Sequence, residues 1–484
     1  MFNQKTAVFW AFSFILFLTA LRILALAITP TDLFVDEAQY WFWGQNLDFG
    51  YYSKPPLIAW LIRLVTELAN SSEAFWVRIL APLLHGLTAA LLGVFAARRF
   101  GSAIGAWVSL GYVSLPIVAV GSFMISTDTV LAPFYVLALI FYDQANRSGS
   151  LCTAAMAGAA LGVAFMAKYA ALYLIICMPL IYLLCSDQRL RWAQYAAFFG
   201  VFLTVITPNI IWNLANELTT LSHTAENVQW VKSESQTGFS LANMSEFLLL
   251  QAVVIGPVAF AVLGAQTLGY KRFEQGKNLL LLSVPIVFLI TVQAGLSRAY
   301  ANWAFPFVFA GITLAMAAMG PRLRIISLVL NSMIGLIVTG AVMFADIASV
   351  NGRQVAERYL HRSELSHQIA QVAKEQGIDV IVAQNRDVLA DLFHTLRAQD
   401  FDIRALRQSS LPAHYYAQKY PFERALQSPL LMVSVHPLTL SCKASDYRPL
   451  GKISKTRGAY RDMIFNLYRI EPGCQSALLT AAFD

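Results

Sequence analysis

Long apolar stretches, each near the length that spans a bilayer, recur along the first 345 residues of this chain. A membrane-crossing helix needs about 20 mostly apolar residues. Runs of that kind occupy 7–28, 75–97, 102–122, 128–144, 151–167, 169–185, 193–211, 245–266, 279–295, 301–319 and 324–345. About eleven transmembrane helices are therefore expected. Only 13% of the 484 residues are Asp, Glu, Lys or Arg, and 57% are hydrophobic. A soluble domain carries roughly 25% charged residues. This excludes an ordinary water-soluble enzyme, a disordered chain and a nucleic-acid-binding protein. The formal charge of +7 reads as topology charge on short loops.

Charge density more than doubles near residue 346. Residues 1–345 hold 18 Lys and Arg with 14 Asp and Glu, and the 139 residues of 346–484 hold 17 and 14. The expected division is a membrane domain, 1–345, and a water-soluble tail, 346–484. With the N-terminus in the cytoplasm, each inward connection is short and basic: Lys5, Arg98 with Arg99, Arg147, Arg189 with Arg191, Lys271 with Arg272 and Lys277, and Arg322 with Arg324. That agrees with the positive-inside rule. An odd number of spans then puts the tail outside. Cys442 and Cys474 are the only cysteines in the tail. On the outer side they can pair, and otherwise they remain thiols.

The two long outward connections are 29–74 and 212–244. In the first, Asp36 and Glu37 directly follow the first span, and the aromatics of Tyr40-Trp41-Phe42-Trp43 follow at the spacing of an interfacial helix. Asp32 or Asp36 can cap that helix, and Glu37 can serve its dipole. The loop continues Gly50-Tyr51-Tyr52-Ser53-Lys54-Pro55-Pro56, where two prolines stiffen the entry to a second amphipathic segment, Leu57 to Leu68. Lys54 is placed to meet a lipid phosphate or to snorkel to the surface. Asp128, in Ser126-Thr127-Asp128-Thr129, is costly beside apolar helices unless it has a role, a partner or a cap to make. His223 lies in the second outward loop, and Arg298 and Tyr300 lie at an outer helix end. An arginine there can bind phosphate with two parallel hydrogen bonds. Arg22 lies inside the first span, and a carboxylate partner or outward snorkelling would each accommodate it.

Carboxylates and cations at one membrane face suit the transfer of a group from a lipid-phosphate carrier to a hydroxyl. The cations stabilise the departing phosphate, and a carboxylate takes the hydroxyl proton. A flippase for a polyprenyl lipid and a membrane scaffold are the competing readings. Transporters place ionisable residues near the bilayer midplane, whereas these acids gather at an outer edge. A scaffold leaves Lys54-Pro55-Pro56 and the paired acids unexplained. The tail reads as a small α/β domain: helices over 365–376 and 389–396, and strands over 379–383, 430–435 and 464–470. It carries no Gly-rich phosphate loop. Its His414-Tyr415-Tyr416 run is read as structural rather than as an acceptor contact.

Asp36-Glu37, then Tyr51 to Leu57, then Thr127-Asp128, then Ala299-Tyr300-Ala301-Asn302-Trp303, resemble the bacterial protein O-mannosyltransferase-like glycosyltransferases of the GT-C superfamily. The resemblance is nearest to the lipid A galacturonosyltransferases and more distant to the aminoarabinose transferases. It implies a polytopic GT-C fold in the bacterial inner membrane with a periplasmic C-terminal domain. It also implies a polyprenyl-phosphate-sugar donor and inversion at the anomeric carbon. Lipid A, another glycolipid, a polysaccharide or a protein is the implied acceptor. Carried over, Asp36 is the catalytic carboxylate, with Glu37 beside it and Asp128 a second active-site acid. Lys54, Arg298 and Tyr300 become donor-phosphate ligands, and Tyr52 and His223 substrate contacts. In the aminoarabinose transferases an acid often precedes the Lys-Pro pair and can join a metal site. Here Ser53 stands there, so no metal or other cofactor is expected to be required. The expectation is that Asp36, Lys54 and Arg298 share one water-accessible pocket.

Overall fold

The first apolar run folds as one helix, Gln4–Ile28, and leaves Phe9, Trp10, Phe12, Leu16 and Phe17 exposed. So dense an apolar surface is stable against lipid and not against water. The computed structural model describes residues 4–185, 189–220, 222, 239–269, 276–297, 299–407 and 412–480. Among the described residues, five helices are long and apolar enough to cross a membrane: Lys5–Ile28, Ala74–Phe100, Trp192–Ala215, Lys277–Leu296 and Pro321–Met343. Shorter apolar helices include Ser102–Val113, Leu151–Ala167, Tyr169–Leu184 and Phe307–Ala318.

All eleven expected runs contain helix, but not each as one straight span. The run 245–266 folds as two helices, Leu241–Val254 and Pro257–Leu268, bent by 117°. Gly256 at the bend has φ +84°, which glycine adopts without strain. Pro257 then opens the next helix, where its missing N–H is not needed. The run 102–122 breaks at Ser114 and Leu115 before Pro116 starts a short second helix. The run 301–319 opens as a 3-10 turn, Ala301–Ala304, before the helix Phe307–Ala318. Apolar composition thus marks helices well, and proline and glycine cut them shorter than composition alone suggests.

The chain divides into two compact units. One comprises Met1–Ile28, Asp48–Val65 and Phe75–Gly340, and the other Thr29–Leu47, Thr66–Ala74 and Ala341–Asp484. This differs from a cut at 345/346, because much of the first outward loop belongs with the tail.

In the helical unit Arg22 is buried and donates from Nη2 to Val113 O at 2.8 Å. A backbone carbonyl, not a carboxylate, accommodates that charge. Asp143 is held by Arg99 at 2.6 Å and Arg147 at 2.9 Å, and Arg99 also donates to Asn278 Oδ1. Paired in this way, these charges are tolerable among apolar helices.

The tail unit is built on a six-stranded sheet. Its strands are β3 (Val380–Ala383), β4 (Asp402–Leu406), β5 (Pro421–Phe422), β6 (Leu430–Ser434), β7 (Tyr447–Ser454) and β8 (Ile464–Ile470). A separate hairpin pairs β1 (Ser349–Val350) with β2 (Arg353–Gln354). The sheet order is β5-β4-β3-β6-β8-β7. β3 runs parallel to β4 and β6, and β8 runs antiparallel to β6 and β7. β3 is apolar and buried at every position, as a central strand covered on both faces requires. Helices Arg362–Glu375 and Arg386–Thr395 match the two helices expected there. Inside the unit, Arg362 Nε donates to Asp391 Oδ1 at 3.0 Å, and Tyr460 donates its hydroxyl to Asp391 Oδ2. Cys442 and Cys474 form a disulfide, with Cα atoms 5.5 Å apart.

Residues 29–47 are stitched to this unit by polar and aromatic contacts. Asp32 Oδ2 accepts from the backbone N–H of Arg362 at 2.8 Å and of Ser363 at 3.4 Å. It therefore caps a helix 330 residues away rather than its own, a correction to the expected cap. The Arg358 guanidinium lies 4.3 Å from the Phe34 ring centroid, within cation–π range. Phe42 packs on Phe393 at 4.4 Å and near Tyr416 and Tyr420.

Candidate active site

The helix Val35–Gly44 carries the two adjacent acids, and they have different surroundings. Glu37 is fully buried, and its Oε2 accepts from Phe34 N at 2.9 Å. A glutamate three residues into a helix closes the helix start in this way. Glu37 therefore has a part in closing this helix start. The Asp36 side chain is about half exposed (47%), and Phe34, not Asp36, occupies the cap position. Asp36 Oδ1 accepts from Arg386 Nη2 at 2.5 Å, and Arg386 Nε donates to Gln39 Oε1 at 2.9 Å. Asp36 and Gln39 are three residues apart and so share one helix face. Burial works against the charge of Arg386, but Asp36 outweighs it and pushes the guanidinium pKa up.

Arg386 is placed by the sheet. The chain leaves β3, passes Gln384 and Asn385, and enters the helix at Arg386. Asn385 Oδ1 caps that helix by accepting from Asp387 N at 2.8 Å and Val388 N at 3.3 Å. A cavity of about 390 Å³ opens at the carboxyl ends of β3 and β6, lined in part by Asn385, Arg386, His414 and Val433. Open α/β sheets bind ligands at this edge, where the strand order reverses. His414 caps the helix Tyr415–Lys419 through Nδ1, and burial lowers its pKa. Tyr416 is buried and stacks on Phe393. Both observations agree with the structural reading of that run.

In the helical unit the cap question for Asp128 is settled by its neighbour. Ser126 Oγ accepts from Thr129 N at 3.2 Å and caps the helix Thr127–Ser148. Asp128 is left to accept from Lys168 Nζ at 2.7 and 2.8 Å, one bond to each oxygen, and from Asn302 Nδ2 at 2.9 Å. Both members of the ion pair are largely shielded, with side-chain exposures of 11% and 17%. Lys168 sits where helix Leu151–Ala167 ends in an extended residue before a 3-10 turn. This acid therefore joins the Thr127 turn, the helix break at Lys168 and the Ala299–Trp303 motif.

The Lys-Pro-Pro segment is held by its backbone. Tyr51 N donates to Lys54 O at 3.1 Å, which ties the two ends of this short bend together. Thr220 Oγ1 donates to Tyr51 O at 2.7 Å, and Asn209 Nδ2 donates to Phe49 O at 2.7 Å. Pro55 and Pro56 are buried, while Tyr52 and Lys54 are partly exposed. Gly50 lies so close to Trp212 that a Cβ would stand 2.3 Å from the ring. Gly50→Ala is therefore expected to cost about 1–3 kcal/mol through overpacking, read as a lower melting temperature in detergent.

Tyr300 is exposed and meets Trp303 edge-on at 5.9 Å. Arg298 and His223 lie outside the described residues. Asp36 and Lys54 belong to different units. The residues that sequence reasoning missed are Gln39, Lys168, Asn302 and Arg386. Asn302 lay inside a motif already singled out, and Lys168 interrupted two apolar runs. Arg386 carried no signal, because the expected helix began at Leu389, three residues after its observed start.

A profile of the dolichyl-phosphate-mannose-protein mannosyltransferases matches residues 53–212. Lipid A galacturonosyltransferase RgtD of Rhizobium johnstonii is 37% identical over 464 residues, covering 94% of this chain and 97% of its own. This chain belongs to the GT-C glycosyltransferases, in the family of the lipid A galacturonosyltransferases. The lipopolysaccharide core galacturonosyltransferase RgtB of the same organism is 25% identical over 338 residues, 63% of this chain and 64% of its own. The transferase shares its fold with ArnT from Cupriavidus metallidurans. The TM-score is 0.64 at 15% identity, covering 94% of this chain and 98% of ArnT, and ArnT has also been seen bound to undecaprenyl phosphate. The profile match contains Lys54, Asp128 and Lys168, whereas Asp36, Asn302 and Arg386 lie outside it.

Proposed function

We propose that this transferase moves galacturonic acid from a polyprenyl-phosphate donor to lipid A, or to a related cell-envelope glycan, at the periplasmic face of the inner membrane. The observation that carries this reading is the 37% identity to RgtD along nearly the whole chain. The disulfide Cys442–Cys474 supports a tail in an oxidising compartment, with the N-terminus cytoplasmic.

Each step follows from the chemistry of the residues. The acceptor hydroxyl oxygen attacks the anomeric carbon from the face opposite the phosphate, and the configuration inverts. Asp36 takes the hydroxyl proton. The bond between the anomeric carbon and the phosphate oxygen breaks, and polyprenyl phosphate leaves with the electron pair. Phosphate is a good leaving group, so neutralising its charge is enough, and Lys54 and Arg298 supply that. Asp128, already neutralised by Lys168, works as a positioning acid. Through Asn302 it holds the segment that carries Arg298 and Tyr300. Tyr52 and His223 are substrate contacts, and no step requires a metal.

The test compares mass spectra of envelope glycolipids from cells with and without the protein. The expected result is loss of a hexuronic acid increment from lipid A. Unchanged spectra, together with no transfer from polyprenyl-phosphate-galacturonate in membranes, would overturn the proposal. Lys54→Ala is expected to raise the KM for donor about tenfold or more, because it removes a charge-assisted phosphate contact of about 1.5–3 kcal/mol. The acceptor KM should change little. A change confined to acceptor kinetics removes Lys54 from the phosphate site.

A further inference from the structure

We infer that Arg386 is a positioning residue for Asp36: it fixes one carboxylate oxygen and leaves the other open to take a proton. The inference rests on the reading of Asp36 as the catalytic acid and names the part of the tail that serves it.

Asp36 Oδ1 receives Arg386 Nη2 at 2.5 Å. Among the described residues, Oδ2 accepts no hydrogen bond. A half-exposed carboxylate with no other partner can rotate about its side-chain bonds, and one held oxygen restricts that rotation. The guanidinium is itself held twice from one helix face, by Asp36 and by Gln39 Oε1 at 2.9 Å. A planar fork bound at two points orients its partner as well as attracting it, which a lysine at the same place would not do. The backbone of Arg386 is fixed in turn, as the first residue of a helix capped by Asn385 directly after the central strand β3.

A second arginine, in the turn just after the same helix, provides a comparison. Arg397 donates to Glu73 Oε1 at 2.7 Å, and the Glu73 side chain is 72% exposed. That pair resembles ordinary surface ion pairs, which contribute little. The Arg386 contact differs because its anion is the acid read as the catalytic base, and because the same guanidinium is also held by Gln39.

The experiment measures kcat and donor KM for purified full-length enzyme in detergent, with polyprenyl-phosphate-galacturonate and lipid A. Arg386→Gln is expected to lower kcat by about 10–100-fold, the effect of a misplaced catalytic group, with donor KM changed less than about threefold. Arg386→Lys restores a cation without the second arm, and its kcat should fall between the two. Arg397→Gln removes the same charge from the turn just after that helix and leaves kcat unchanged. Wild-type kcat in Arg386→Gln overturns the inference, as does an equal loss of kcat in the Arg397 variant. If Arg386→Gln does not accumulate, Gln39→Ala decides: a kcat loss of about threefold or more at unchanged KM supports positioning, and wild-type kcat overturns it. Activity in Asp36→Asn would instead remove the underlying reading, whatever the Arg386 variants do.

Discussion

Asp36→Asn is expected to lower sugar transfer by about a thousandfold, the scale of a lost general base, in protein that still reaches the membrane folded. Asparagine is nearly isosteric and keeps an oxygen that can accept from Arg386 Nη2, so the contact holding this turn to the tail persists in neutral form. The charge pair it replaces has side-chain exposures of 36% and 47%. At that exposure an ion pair contributes at most about 1 kcal/mol, too little to unfold the unit. An amide does not take a proton from a hydroxyl at neutral pH, so chemistry fails where structure does not. The measurement is transfer of labelled galacturonate in membranes, normalised to folded protein and paired with a melting curve. Activity above a tenth of wild type would take Asp36 out of the mechanism. Glu37→Gln should behave differently. Its carboxylate serves Phe34 N, and the amide oxygen can accept the same bond.

Asp128→Asn carries the largest expected effect on stability. Breaking a shielded pair leaves Lys168 with an uncompensated charge, which costs about 3–5 kcal/mol. Because Asp128 also receives Asn302, the loss loosens the Ala299–Trp303 segment. Donor binding should weaken in the protein that survives. The melting temperature of the single variant is compared with that of the double variant Asp128→Leu/Lys168→Met. Replacing both charges by apolar groups of similar volume is often neutral or stabilising, so the double variant should recover most of the stability. It should not recover transfer, since Asn302 still lacks its acceptor. Full activity in the double variant would show that Asp128 serves the fold alone.

Parts of the candidate site were visible from residue order, and parts were not, for physical reasons. Asp36 was readable because an acid pair at a helix start after an apolar span is a local pattern. Its neighbour Glu37 looked equivalent, yet burial and the Phe34 N–H bond set the two apart. Asp32 read as a local cap because capping is usually local, but here it serves a helix from the far end of the chain. In the tail, β3, β6 and β8 showed as apolar or alternating runs. β7 did not, because most of its positions are exposed and a bulge interrupts its pairing between Pro449 and Gly451. β4 is short, and its Asp402 and Arg404 obscure the pattern.

Residue order by itself determined that the chain is a membrane protein with a polar tail, and where most of its helices run. Apolar length and periodicity are local properties, and the solvent acts on them directly. Tertiary structure decided the rest: that helix Val35–Gly44 belongs to the tail unit, that Arg386 reaches Asp36 across 350 residues, and that Asp128 is bound by Lys168 and Asn302 across 40 and 174. Polar pairs so distant along the chain leave no periodic trace. They form only once packing has brought their backbones together and removed the water that would otherwise have satisfied each group alone.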